Sequence, residues 1–392
     1  MQRCKKFSRK EFSDLSFKQY RKQDCDVHGH RYEYDFMRLL LLCLVVLGHS
    51  CYNSLFYGVG GVDYTGLFIS GEYTYHSLWT KVWFIHDLIY SFHMPAFFAL
   101  SGSVYYITKQ RYSGINELIA VKAKKLLCPF LFCAVFYTIP VKLFGGFYVT
   151  ENIGAALNGI LFASGDAGHL WFLAALFWNF VIIRCLEIKF NAENRNEYMI
   201  PLISVILYIL LYDKAVKIPY LDLRYFGYFS MGYLLAAVKE KGKRISDRTV
   251  FLSIIFFIPA CRILPINSEI LSLAGVFFTY VIGYAFERKA GKAVKVRLVK
   301  LLKYSFPIYL FHDPVNILVL KWIDYFRMYD LYESAAGILL LVAVRTVIPA
   351  AASVLLWKAL SAAAAGRRTG TEEKPEEDKQ RDERKRKHED GS

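Results

Sequence analysis

Charge is scarce in this chain. Asp, Glu, Lys and Arg make up only 21% of its 392 residues, less than a soluble domain of that size carries. The scarcity argues against a cytosolic enzyme, a disordered scaffold and a collagen-like rod. Cysteine is sparse as well. The eight residues form no C-x-x-C pair, which excludes a dense disulfide framework. Residues 1–34 lack an apolar stretch of signal-peptide length and read as a basic cytoplasmic arm. No repeat recurs at periods of roughly 20–50 residues, and no inverted repeat of the transporter kind is visible.

What remains is apolar. Hydrophobic residues make up 55% of the chain, aromatics 17%, and the mean hydropathy is +0.27. These values predict a polytopic membrane protein. The net charge of +15 invites nucleic acid as a partner. An excess of Lys and Arg is also what cytoplasmic loops require of a membrane protein, and that second reading is preferred, with no nucleic-acid partner.

A bilayer core needs about 20 mostly apolar residues per helix. Ten stretches qualify: residues 35–57, 84–107, 126–141, 168–186, 198–212, 221–238, 249–264, 268–286, 304–321 and 337–362. With the N-terminus inside, the inner segments carry 29 Lys and Arg, tail excluded, against 5 in the outer loops. The bias predicts an all-α bundle of ten spans with both termini cytoplasmic. Three regions follow: an arm at 1–34, a membrane domain at 35–362 and a charged tail at 363–392. From Gly366 onward the chain holds nine basic and nine acidic residues and almost nothing apolar, a composition that predicts disorder.

The first span carries the most informative polar residues. It begins Asp35-Phe36-Met37-Arg38 and ends Gly48-His49-Ser50. Eleven residues separate Arg38 from His49, within roughly 20° of three whole turns, so both share one helix face about 16 Å apart. Arg38 is expected near the cytoplasmic surface and His49 near mid-membrane. Ionisable groups at that depth face a cavity or a partner. Snorkelling of Arg38 to the headgroups and a helix–helix hydrogen bond at His49 are the plainer alternatives. A cation at the mouth and an imidazole deep in the same groove suit a long phosphorylated donor.

The Asp-x-x-Arg-(x10)-His arrangement resembles the acyltransferase-3 family of integral-membrane O-acyltransferases. This chain has Leu39 where the family pattern has Gly. Ser91–Gly102 (SFHMPAFFALSG), Gly168–Leu173 (GHLWFL) and Ser305–His312 (SFPIYLFH) resemble three further family segments, in the family's order. The resemblance covers about residues 32–360 and is to the compact form, without the extracytoplasmic hydrolase-like domain of longer relatives.

The resemblance implies acyl transfer, commonly of acetyl or succinyl, from cytoplasmic acyl-coenzyme A to a hydroxyl of a cell-surface glycan or glycolipid precursor. It places the protein in the bacterial cytoplasmic membrane, with lipid around it. No permanently bound cofactor or metal is expected, and acetyl-coenzyme A serves as co-substrate. His49 is assigned as general base; an unperturbed imidazole titrates near 6.5 and accepts a proton in its neutral form. A covalent acyl-histidine is a variant of the same scheme. Arg38 binds donor phosphate through paired hydrogen bonds. Asp35, one turn earlier, orients it or complements the helix dipole.

The inner cluster Lys122, Lys124 and Lys125 is a second candidate for donor phosphate, although relatives have arginines there and ordinary topology charge explains lysines equally well. His93, next to the helix-bending Met94-Pro95, lines the acceptor pocket or is a satisfied buried histidine. His169 and Trp171 are candidates for the acceptor, with belt anchoring as the competing account of Trp171. His312 is a second intramembrane imidazole and a candidate for contact with substrate. Ser101-Gly102 is read as a close helix contact. Arg345 interrupts the tenth span with no partner visible in the sequence.

Cys25, His28 and His30 with Asp24 and Asp26 match no zinc spacing. Gly58, Gly60 and Gly61 lack the strand–helix context of a phosphate loop. A transporter or flippase for a polysaccharide or its lipid-linked precursor is the alternative function, and a non-catalytic assembly subunit a third.

Overall fold

The computed structural model describes residues 30–51, 54–57, 60–63, 76–144, 153–163, 168–190, 199–211, 219–240, 247–266 and 268–369. Twelve helices are numbered here in chain order: α1 Tyr32–Cys51, α2 His76–Thr108, α3 Ile115–Phe144, α4 Ile153–Asn158, α5 Trp171–Phe190, α6 Met199–Leu211, α7 Leu223–Glu240, α8 Asp247–Ile263, α9 Glu269–Lys289, α10 Lys292–Leu302, α11 Ser305–Tyr325 and α12 Ala335–Thr369. A helical element lies on each of the ten apolar stretches; α4 and α10 fall between them. By length and composition, five helical stretches among the described residues are able to cross a membrane: Tyr32–Cys51, Ile115–Phe144, Gly168–Phe190, Glu269–Lys289 and Ala335–Ala363.

Two boundaries differ from expectation. The first helix stops at Cys51, not at 57, so His49 sits in its last turn rather than in its middle. Beyond it Ser54–Tyr57 (β1) pairs antiparallel with Gly60–Asp63 (β2), from Ser54 opposite Asp63 to Tyr57 opposite Gly60. This small hairpin departs from the all-α expectation. Gly60 and Gly61, at the start of β2, disfavour helix. At the other end α12 runs to Thr369, so the first residues of the expected tail are helical. Residues 1–29 of the arm and 370–392 of the tail lie outside the described residues, and so does the cluster Asp24, Cys25, Asp26, His28.

The distribution of side chains is that of a protein dissolved in lipid. Phe132, Phe136, Phe256, Leu202 and Leu339 face outward, whereas Lys142, Asp313, Asn316 and Arg345 are buried. Lipid offers no hydrogen bonds, so polar side chains find partners inside the bundle. α1 occupies the centre and packs against α2, α9, α11 and α12. α2 and α7 form the most extensive helix pair. Glycine makes it possible: a Cβ on Gly102 would lie 1.9 Å from the Phe229 carbonyl oxygen, and one on Gly232 would lie 1.7 Å from that of Ala99. The close contact expected at Ser101-Gly102 is therefore present.

Prolines shape the helices that carry the site. A proline has no N–H for the carbonyl four residues back. Pro95 thus frees the Ser91 carbonyl, and the Ser272 hydroxyl of α9 donates to it at 2.5 Å. α3 contains two wide π segments, Ala123–Leu127 and Ala134–Thr138, and Pro129 and Pro140 each follow by two residues. One buried carboxylate ties three helices. Glu187 of α5 accepts from Tyr105 at 2.6 Å, Tyr233 at 3.0 Å and Arg184 at 3.2 Å, with Lys109 Nζ at 3.4 Å. A buried charge surrounded this fully is tolerated; removing its partners would leave it uncompensated.

Candidate functional site

The site grows from α11. Pro314 leaves the Leu310 carbonyl without its helical donor. His169, in the single 3-10 turn before α5, fills that gap: its Nε2 donates to the Leu310 oxygen at 3.1 Å. Its other nitrogen, Nδ1, donates to Asp313 Oδ2 at 3.2 Å. The ring is thus held at both nitrogens, between a backbone carbonyl and a buried carboxyl group. Gly168 sets the approach. It adopts φ +56°, a left-handed conformation that favours glycine, and its open side faces Asp313 Oδ2 and Lys142 Nζ, each 3.5 Å from where a Cβ would stand.

Asp313 bridges two elements. Its Oδ1 accepts from His49 Nδ1 of α1 at 2.7 Å. That bond places the remaining lone pair of a neutral His49 on Nε2. The side chain of Asp313 is 2% exposed and that of His49 13%, so the imidazole forms the more open edge of the pair. A third imidazole completes the cluster. His312 donates Nδ1–H to the carbonyls of Ile308 at 2.9 Å and Tyr309 at 3.0 Å. Its Nε2 is buried and has no hydrogen-bond partner among the described residues. The His312 ring centre lies 5.0 Å from both the His49 and the His169 rings. The Tyr309 hydroxyl secures the turn from below by donating to the His169 carbonyl at 2.5 Å.

Of the residues singled out in the sequence, the structure brings His49, His169 and His312 into one cluster. His93 stands beside it. Its Nδ1 donates to the Ile89 carbonyl at 2.7 Å, and its ring lies 4.9 Å from Tyr90, whose ring is 6.1 Å from His49. Trp171 packs against Phe98 and Tyr225, at 6.1 and 5.1 Å, and those two rings stack on each other at 4.7 Å. Asp35 accepts from His30 Nε2 at 2.5 Å, near the start of α1. Arg38 is half-buried on the same unbroken helix as His49, so the eleven-residue spacing keeps the two on one side.

Lys122 is elsewhere: its Nζ lies 3.4 Å from the centre of the Phe180 ring, more than two turns along α5 from Trp171. Lys124 and Lys125 lie on the first π segment of α3.

Asp313, Asn316 and Lys142 were not anticipated. Asp313 directly follows the Ser305–His312 segment, and an acid inside an apolar run was a signal in plain sight. Lys142, one residue beyond the third apolar stretch, is fully buried.

Comparison with known proteins identifies the family. The family model Acyl_transf_3, an acyltransferase domain, matches residues 31–357. The chain belongs to that family. It is 28% identical over 209 residues to the nodulation protein NolL of Sinorhizobium fredii (strain NBRC 101917 / NGR234), covering 53% of this chain and 49% of the relative. It is 27% identical over 158 residues to NolL of Mesorhizobium japonicum (strain LMG 29417 / CECT 9101 / MAFF 303099), covering 39% and 35%. The chain thus matches about half or less of the length of these curated relatives. No solved structure matches the chain. In this family member all four motif segments lie on α1, α2, the start of α5 and α11, and three of the four contribute a histidine to the cluster.

Proposed function

We propose that this family member is an integral-membrane O-acyltransferase that moves an acyl group, acetyl in the simplest case, from cytoplasmic acyl-coenzyme A to a hydroxyl of a cell-surface glycan or glycolipid precursor. The observation that carries the reading is the Asp313 carboxylate bridging His49 and His169 in a lipid-shielded setting. A carboxylate on Nδ1–H fixes the tautomer that leaves Nε2 basic and stabilises the imidazolium that forms. In the proposed step the acceptor oxygen bonds to the thioester carbonyl carbon and its proton passes to His49 Nε2. The carbon–sulfur bond then breaks, and the coenzyme A thiolate takes the proton from His49, so the enzyme ends as it began.

Arg38, a few turns along α1 on the same side, is proposed to hold the donor's phosphates. The proposed setting is the bacterial cytoplasmic membrane, with ten spans and both termini cytoplasmic, as the distribution of Lys and Arg favours.

The test uses purified protein, radiolabelled acetyl-coenzyme A and a panel of glycan acceptors. The parent is expected to transfer label, His49→Ala to lose transfer, and Arg38→Ala to bind donor more weakly. A parent that releases no acyl group to any acceptor or to water would remove the enzyme reading and favour transport. Full activity in His49→Ala would remove the base assignment.

A further inference from the structure

The last turn of a helix leaves four carbonyls without intrahelical donors. α1 ends at Cys51, so the His49 carbonyl is one of them. It is not left open. Asn316 Nδ2 donates to it at 2.8 Å, and Arg345 Nη2 at 3.3 Å. Arg345 Nε in turn donates to Asn316 Oδ1 at 3.0 Å. Arg345 is 1% exposed and Asn316 likewise. A guanidinium buried to this degree in a membrane helix is costly and needs a function that repays it.

We infer that Asn316 and Arg345 are positioning residues that clamp the backbone of His49. The inference rests on the reading of His49 as the base. Asn316 lies three residues after Asp313 on α11, so both point from one face of that helix. α11 therefore grips His49 at two places, the ring through Asp313 and the carbonyl through Asn316. A ring held at one point swivels; held at two, both its position and its orientation are set. Arg345, from α12, adds a positive charge at the negative end of the α1 dipole and locks the amide of Asn316 in the orientation that donates. The arrangement also gives the arginine of the tenth apolar stretch buried acceptors, among them a backbone carbonyl from the first helix; the Tyr332 side chain also bonds to it.

The test compares parent, Arg345→Ala, Arg345→Lys, Asn316→Ala, the double Ala variant and Ser353→Ala. Ser353 is buried on α12 and, among the described residues, bonds to its own helix at Pro349, which makes it the control. Misplacing a reacting group by about 1 Å costs on the order of 100-fold, so Arg345→Ala and Asn316→Ala are each expected to lose kcat by roughly that factor with donor KM within about twofold. The double variant is expected to lose little more than either single one, because the two residues act as a unit. Arg345→Lys and added guanidinium on Arg345→Ala are expected to restore part of the rate.

A readout independent of turnover is the rate at which His49 reacts with diethyl pyrocarbonate, followed by peptide mass spectrometry. It is expected to change several-fold in the clamp variants and not in Ser353→Ala. If Arg345→Ala does not fold, Asn316→Ala and Arg345→Lys carry the test. Parent-like kcat and parent-like His49 labelling in folded clamp variants would overturn the inference. An inactive parent would instead overturn the acyltransferase reading, and the labelling would still decide the clamp.

Discussion

Replacing Asp313 by Asn removes one charge and almost no volume. The consequence follows from the two histidines it serves. The carboxylate accepts at both oxygens, from His49 at 2.7 Å and from His169 at 3.2 Å. An amide has one acceptor oxygen and one NH2 group, so one histidine meets a donor where it met an acceptor. A hydrogen bond to a charged group contributes about 1.5–3 kcal/mol, which converts to roughly 10–150-fold in rate at about 1.36 kcal/mol per factor of ten. Losing the fixed tautomer adds to this; in a Ser–His–Asp triad amidation of the orienting acid costs about 10⁴. The expected kcat of Asp313→Asn is therefore between about 10² and 10⁴ below parent, with donor affinity unchanged. The assay is single-turnover transfer from radiolabelled acetyl-coenzyme A in detergent or nanodiscs, paired with equilibrium donor binding. A folded Asp313→Asn protein with kcat within threefold of parent would refute the orienting role.

Four further outcomes are expected. Pro314→Ala would return a helical donor to the Leu310 carbonyl, which now accepts from His169 Nε2; a several-fold fall in kcat with a normal melting temperature would show the competition, and no change would show that His169 does not need the bond. Gly232→Leu would place atoms within 2 Å of the Ala99 carbonyl and is expected to abolish folded protein, read by detergent size-exclusion chromatography. Glu187→Ala would strip the carboxylate from two tyrosines, Arg184 and Lys109 and is expected to lower stability by about 3–5 kcal/mol, read by thermal shift, while leaving the His49 cluster intact. His312→Asn keeps a polar side chain but removes the buried Nε2; a large loss of kcat would place that nitrogen in the reaction, and parent-like kcat would make it a packing residue.

Several features were legible from local chemistry. Apolar runs long enough for a bilayer, separated by biased loops, fixed the class, since lipid admits few backbone solutions. The eleven-residue spacing of Arg38 and His49 defined a shared helix face, because helix periodicity is a local property. Gly102 announced a close contact for the same reason. The end of α1 was misjudged: apolar content continues to Tyr57, but Gly60 and Gly61 beyond it disfavour helix, and hydropathy does not distinguish an apolar strand from an apolar helix.

What only the tertiary structure decided was partnership. Nothing local relates position 49 to 313 or 169 to 310, and one Arg345 partner is a carbonyl 296 residues away in the chain. Such pairs form because lipid gives buried polar groups no other acceptor, and which group meets which depends on how the helices cross. The sequence supplied a membrane bundle with a few expensive polar residues; the packing turned those residues into a bridged histidine cluster held at the end of the first helix.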